Sequence, residues 1–260
     1  MERALWSAVT GMKAQELAMD TIANNLANIN TTSFKSGRLQ FQDMLYSVLT
    51  TPGAASGDSE VPTGIQVGHG TRVASTSKQF SQGSLVQTGR DLDVAIEGDG
   101  VFEVALPDGT SAFSRDGSFS INSNGEVVTS NGYRVVAFDG IDSGTTEINI
   151  AADGSMTNVV AGASVTKSRL SLVRFVNPEG LRSIGRNLYQ STDASGEPLT
   201  GLNPGEQGVG TLAQRYLEGS NVNAASELVN MITTQRAYEA SSKAIKASDE
   251  MMDTANNLRR

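Results

Sequence analysis

At 260 residues the chain exceeds the usual size of one domain, which predicts one or two cores plus extensions. A formal net charge of −8 argues against nucleic-acid or anionic-membrane binding, both of which need clustered Lys and Arg, and the absence of cysteine excludes disulfides, Cys-ligated metals and thiol catalysis. With 38% of residues hydrophobic and 5% aromatic, a turn-rich protein of modest cores is expected.

The first ten residues carry one acid beside one base and are soon broken by Gly11, Lys13, Gln15 and Glu16, so the apolar run of a secretory signal is missing. Nor does any later stretch approach the roughly 18 apolar residues of a membrane span. From there one set of positions repeats at seven: Leu5, Met12, Met19 and Leu26, with Ala8, Gln15, Ile22 and Ile29 three residues on. This predicts a helix with a narrow apolar seam from Leu5 to Ile29. The spacing leaves two readings open, an amphipathic helix on its own domain's core or a coiled-coil-like seam. About two apolar positions per two turns, against three or four for a core helix, favours the second. Gly11 costs about 1 kcal/mol relative to Ala within such a helix. A lone helix of about 25 residues is weakly stable without packing, so ordering on association is expected.

Residues 31 to 90 read as an extended connector. Within it, residues 47 to 70 contain Pro52, Gly53, Gly57, Pro62, Gly64, Gly68 and Gly70 and match neither helix nor even alternation. A loop of that length is uncommon inside a compact domain, and a contact with another subunit is the favoured role.

Residues 91 to 221 change to period two. Asp108-Gly109, Asp116-Gly117, Asn124-Gly125 and Asn131-Gly132 are dipeptides that accept the positive φ of tight hairpins, so residues 91 to 140 read as a chain of hairpins. Further strands are predicted near residues 147 to 150, 164 to 175 and 187 to 190. The last element is a helix over about residues 224 to 257. It is capped by an Asn of Ser220-Asn221-Val222-Asn223 and favoured at its positive end by Glu227. Its seam is Met231, Tyr238, Ile245 and Met252, joined by Leu228, Ile232 and Ala244.

Chemistry is not signalled. His69 is the sole histidine and sits in Gly68-His69-Gly70, which rules out a multi-histidine metal site. The Asp-Gly pairs do not follow the D-x-[DN]-x-[DN]-G spacing of a calcium loop, and Gly98-Asp99-Gly100 lacks the rest of a dinucleotide fingerprint. Asp91, Asp93, Glu97 and Asp99 read as a solvated strand face rather than acid/base pairs. No catalytic, cofactor or metal residue is assigned, and the chain is not expected to be an enzyme.

The stretches Ala23-Asn24-Asn25-Leu26-Ala27-Asn28-Ile29-Asn30-Thr31-Thr32-Ser33-Phe34-Lys35 and Ser220-Asn221-Val222-Asn223, the latter followed by Gln235-Arg236-Ala237-Tyr238-Glu239, resemble the rod and hook family of the bacterial flagellum. Asp93 to Phe102 and Phe113 to Phe119 are similar to that family's entry into its β domain. The resemblance covers essentially the whole chain, and residues 45 to 70 resemble its distal-rod branch. It implies an α+β fold, with a mainly antiparallel β body at residues 91–221 and discontinuous helices at 1–30 and 222–260 forming a coiled-coil-like axial domain. The signature residues are Asn24, Asn25, Leu26, Asn28, Phe34, Lys35, Asn221 and Asn223. The expected subunit contacts are Leu5, Met12, Met19, Ile22, Leu26, Ile29, Leu228, Met231, Tyr238, Ile245 and Met252.

The implied function is a self-assembling helical tube that carries torque from motor to hook, with no cofactor. Its implied partners are further copies, proximal rod and hook subunits, P-ring and L-ring proteins, a rod cap and the flagellar type III export apparatus. Its implied location is the basal body, spanning periplasm to outer membrane, reached without a cleavable signal. The rival readings are another axial subunit, proximal rod or hook, or a secreted β-domain glycan-binding or adhesive protein. One departure stands out: Ser33 occupies a position where the family has Gly. If that glycine serves a positive φ, Ser33 must adopt a less comfortable angle or the turn differs locally.

Overall fold

A computed structural model describes residues 2–51, 55–56, 59–60, 63–138, 141, 145–160 and 163–258. Pro52, Gly53, Gly57 and Pro62, part of the predicted connector loop, lie outside the described residues. The fold is α+β, mostly antiparallel strands with one helix near each end of the chain. It forms two compact units, one of Met1–Ala27, Gly37–Ser77 and Asn223–Arg260, the other of Asn28–Ser36 and Lys78–Val222.

The helical unit contains α1 (Glu2–Ala27) and α2 (Ala224–Leu258). At 1.5 Å per residue, α2 is about 50 Å long. Helix α1 ends at Ala27, where the poor helix formers Asn28-Ile29-Asn30-Thr31-Thr32 begin and the chain turns: the Thr31 amide donates to the Asn28 carbonyl at 3.1 Å, and Thr31 Oγ1 to Asn28 Oδ1 at 3.1 Å. Ile29, predicted as the last seam position, therefore lies beyond the helix and belongs to the β unit. Asn223 caps α2, its Oδ1 accepting from the Ser226 amide at 3.1 Å, with Glu227 in the first turn.

The helices run antiparallel. Asn25 Nδ2 donates to Glu227 Oε1 at 3.4 Å, while Gly11, earlier on α1, faces Ser241, later on α2; a Cβ at Gly11 would lie 3.5 Å from Ser241 Oγ. On α1 the inner face holds Ile22 and Ala14, both buried, and Leu5, Met12, Met19 and Leu26, all half-buried. On α2 it holds half-buried Met231, Ile245 and Met252, with Thr234 and Ser248 buried between them. Ser241 and Ser248 donate to the carbonyls of Ala237 and Ala244 at 3.0 and 2.9 Å. That satisfies the hydroxyls within the helix, so serine can sit inside like a small apolar residue. The predicted seven-residue stripe is accordingly split: Tyr238 and Leu228 are exposed, and small polar residues hold inner positions.

Among the described residues the same unit contains three ribbons, Gly37–Asp43 paired with Thr71–Lys78, Tyr46–Thr50 paired with Ile65–Gly68, and the short Ala55–Ser56 paired with Ser59–Glu60. The second is a finding against the loop reading, since Ser47 lies opposite Val67 and Val48 opposite Gln66 in an antiparallel ladder.

In the β unit, the largest sheet among the described residues has seven strands, in the order Phe119–Ile121, Val127–Thr129, Arg134–Val135, Phe102–Ala105, Ser111–Ser114, Leu188–Gln190, Arg182–Gly185. A three-stranded sheet of Thr145–Ile150, Ser155–Val160 and Ala163–Arg169 packs into the same core. Phe119 packs edge-on against Phe102 and Phe138, with ring centroids 5.1 and 5.2 Å apart. Asp108-Gly109, Asn124-Gly125 and Asn131-Gly132 each turn a hairpin, every glycine at φ +81°.

Three expectations are corrected here. Asp116-Gly117 is not a hairpin: a Cβ on Gly117 would lie 1.7 Å from the Val94 carbonyl oxygen, so this glycine permits a close approach of backbones rather than a positive φ. Likewise the Val94–Glu97 strand pairs not with its neighbour in sequence but with Thr211–Gln214. Asp93 is also not on a solvated face; it is buried, with Arg90 Nη1 3.6 Å away.

Candidate functional site

Two features of the helical unit meet the requirements of an assembly surface. On α2, Leu228, Val229, Ile232, Tyr238 and Met251 are exposed, and on α1 so are Trp6 and Leu17. The Tyr46–Thr50 ribbon adds Leu45, 87% exposed, with Tyr46, Val48, Leu49 and Ile65. Clustered large apolar side chains facing water mark contact surfaces more often than scattered single ones do. The predicted contact residues thus divide. Met12, Met19, Ile22, Met231, Ile245 and Met252 are at least half covered within one chain, as are Leu5 and Leu26, whereas Leu228 and Tyr238 face outward.

Two signature asparagines hold backbone. Asn25, buried, accepts from the Gly37 amide at 2.8 Å through Oδ1 and donates to the Gly37 carbonyl at 2.9 Å through Nδ2, imitating one rung of a β ladder. In the β unit, Asn221 Oδ1 accepts from the Ser36 amide at 2.8 Å and Nδ2 donates to the Gln79 carbonyl at 2.8 Å. The Phe34 ring lies under Lys78, whose Nζ is 4.6 Å from the centroid. Asn24 is exposed near the end of α1.

Lys35 leads to a charge cluster that sequence reasoning missed. Its Nζ is fully buried, 2.6 Å from Glu218 Oε1 and 2.8 Å from the Ser81 carbonyl. Glu218 Oε2 accepts from Arg115 Nε at 2.6 Å, and Oε1 also accepts from the Gly83 amide at 2.8 Å. Arg115 reaches on to the carbonyls of Gly100 at 2.8 Å and Gly98 at 2.5 Å. Burial alone would raise the Glu218 pKa, but Arg115 and Lys35 outweigh it and hold the carboxyl below the usual range. Burial pushes the Lys35 ammonium down, with Glu218 opposing.

Ser33 sits in this cluster at φ +54°, the left-handed angle expected there for glycine. Its amide donates to the Glu218 carbonyl at 2.8 Å and its Oγ to the Arg115 carbonyl at 2.9 Å, which compensates the strain. Arg115 lies in the Phe113–Phe119 stretch but was given no role there, and Glu218 belonged to no stretch singled out. The available signal was a charged residue at an inward position of the Tyr216-Leu217-Glu218 strand, which pattern alone reads as solvent-facing.

These residues coincide with known families. The family of flagella basal body rod proteins matches residues 5–35, the D1 domain of the flagellar hook protein FlgE/F/G matches residues 95–158, and the C-terminal domain of the flagellar basal body rod FlgEFG proteins matches residues 213–258. Over 98% of its length the chain is 46% identical to the flagellar basal-body rod protein FlgG of Buchnera aphidicola subsp. Acyrthosiphon pisum, covering 99% of that protein. Identity is also 46% to FlgG of Borreliella burgdorferi and 36% to FlgG of Bacillus subtilis, with full coverage of both chains in each case. The chain belongs to the FlgG family of flagellar basal-body rod proteins. It is a structural subunit of the flagellar distal rod, part of the basal body. The FlgG relatives are structural proteins, and the matching families are rod and hook families rather than catalytic ones. The amino-terminal family match ends on Lys35 and the carboxy-terminal match contains Glu218, so the buried ion pair links residues of the two matched segments.

Proposed function

We propose that the chain polymerises into a helical tube whose wall is lined by α1 and α2 in coiled-coil-like packing, and that the tube serves as a rigid shaft carrying torque from the motor to the hook. Residues 1–30 and 222–260 form its axial domain and residues 91–221 its outer domain, with the ribbon at 46–68 as an additional contact between copies. The observation that carries this reading is the exposed apolar set Leu228, Val229, Ile232 and Tyr238 on the outer side of α2, which a lone subunit leaves in water. Heterologous contacts that repeat without closing generate an open helix. Each Leu or Ile buried between subunits stabilises the contact by about 1.5–3 kcal/mol, enough in sum to offset the ordering of the helices.

On this reading Leu5, Met12, Met19, Ile22, Leu26, Met231, Ile245 and Met252 hold the helix pair of one subunit, while Leu228 and Tyr238 face the next, and Ile29 acts from the β unit. The tube spans the periplasm and outer membrane, meets proximal rod and hook subunits at its ends and turns inside the P and L rings. Subunits reach its tip beneath a rod cap through the flagellar type III export channel. Electron microscopy of concentrated protein tests the core of this proposal. Full-length chains form tubes, whereas a fragment lacking 1–30 and 222–260 does not; tubes from the fragment refute the axial role of the helices.

A further inference from the structure

We propose that residues 209–221 are a closing strap: the β unit stays open until they dock, so a chain emerging N-terminus first does not close this unit until the segment just before α2 has arrived. Val94 and Ile96 are fully buried, yet the ladder partner of their strand is Thr211–Gln214, at the far end of the unit's sequence. Leu212 and Val209 complete the same core, at 4% and 6% exposure. Gln214 then stitches two distant segments with one side chain. Its Nε2 donates to the carbonyls of Asp91 at 2.9 Å and Ile148 at 2.7 Å, and its Oε1 accepts from the Ile150 amide at 3.0 Å.

Charge makes closure without the strap costly. Glu218 is the carboxylate that both Lys35 and Arg115 face, and those cations are 0% and 4% exposed in the closed unit. A core that formed early would bury two positive charges with no anion, which desolvation opposes. The seat is also close-fitting: a Cβ at Gly210 would lie 2.2 Å from the Glu97 carbonyl oxygen, so a partly docked strap gains little. Pairings so far apart in sequence form late, because the loop must be closed before its contacts stabilise anything.

Native-state hydrogen exchange on the full-length protein, followed across sub-denaturing urea, tests the inference. Amides of Phe102, Val104 and Ile150 are expected to merge with those of Leu212 and Gln214 into one unfolding isotherm. The idea is overturned if amides at 211–218 exchange about tenfold or more faster on their own isotherm while the others stay protected. Translation-arrested chains of the full gene test the order of emergence. Protease resistance of the β unit is expected when residue 221 has cleared the ribosome but not when only residue 208 has. Resistance at the earlier arrest overturns the strap.

Discussion

At the scale of single residues, the Lys35–Glu218–Arg115 cluster dominates. Replacing Glu218 by Gln strands two buried cations, and we expect a loss of about 3–5 kcal/mol in urea titration. The same carboxyl sets an acid limit. Its folded pKa lies below the unfolded value of about 4.3, so its contribution is complete above that pH and is lost as pH falls through the lower folded value. Tyr189 works in the opposite direction: burial first, then Glu218, raises its pKa to about 12, so its neutral form favours folding below about pH 10 and this is lost as pH rises towards the folded value. A stability profile that stays flat from pH 5 down to 2 contradicts the acid half of this account.

Ser33 offers an ordering test. Ser33→Ala keeps the left-handed strain and strips the Arg115 carbonyl of its donor, at about 1–3 kcal/mol. Ser33→Gly loses the same bond but relieves about 1 kcal/mol of strain, so it should be the milder change. Chemical denaturation of both variants decides the order, and a Gly variant less stable than the Ala variant speaks against strain at this site.

Among the elements, the antiparallel helix pair is the informative one. Gly11 approaches Ser241 at ordinary contact distance, so Gly11→Ala fits without displacement and should raise helix stability by up to about 1 kcal/mol, whereas Gly11→Leu forces the helices apart. Thermal melting followed by circular dichroism separates the two. The inner face was only half legible. Leu5, Met12, Met19, Met231, Ile245 and Met252 could be read from their spacing, but Thr234 and Ser248 could not, because a hydropathy pattern counts a hydroxyl as polar even where, as at Ser248, the helix's own carbonyl satisfies it. The ribbon at 46–68 escaped for a different reason: its apolar residues face water, and so do not show the one-sided alternation by which a strand is recognised.

For the whole molecule, the inner face of α1 and α2 covers few large side chains completely, and the outer face leaves Leu228 and Ile232 in water. Amides of residues 5 to 28 should therefore be weakly protected in dilute monomer and strongly protected in the polymer, as judged by NMR hydrogen exchange; firm protection in the dilute state contradicts helix ordering by association. The mixed double variant Leu228→Glu, Ile232→Glu should leave the β unit's melting unchanged and abolish tubes in electron microscopy.

Local chemistry alone settled much of this protein. An Asn of residues 220–223 was read as a helix cap and the pairs at 108, 124 and 131 as hairpin turns, and Asn223 and these glycines act so, because each role depends on a residue and its immediate neighbours. Tertiary structure decided what depends on distant partners. Gly117 serves a close approach rather than a turn, Val94–Glu97 pairs across the unit rather than with its neighbour, and Lys35 finds its anion in Glu218. The physical reason is common to all three. A backbone angle is fixed by local sterics, whereas a buried charge or a ladder partner is chosen by which segments the folded chain brings together, and no periodicity records that choice.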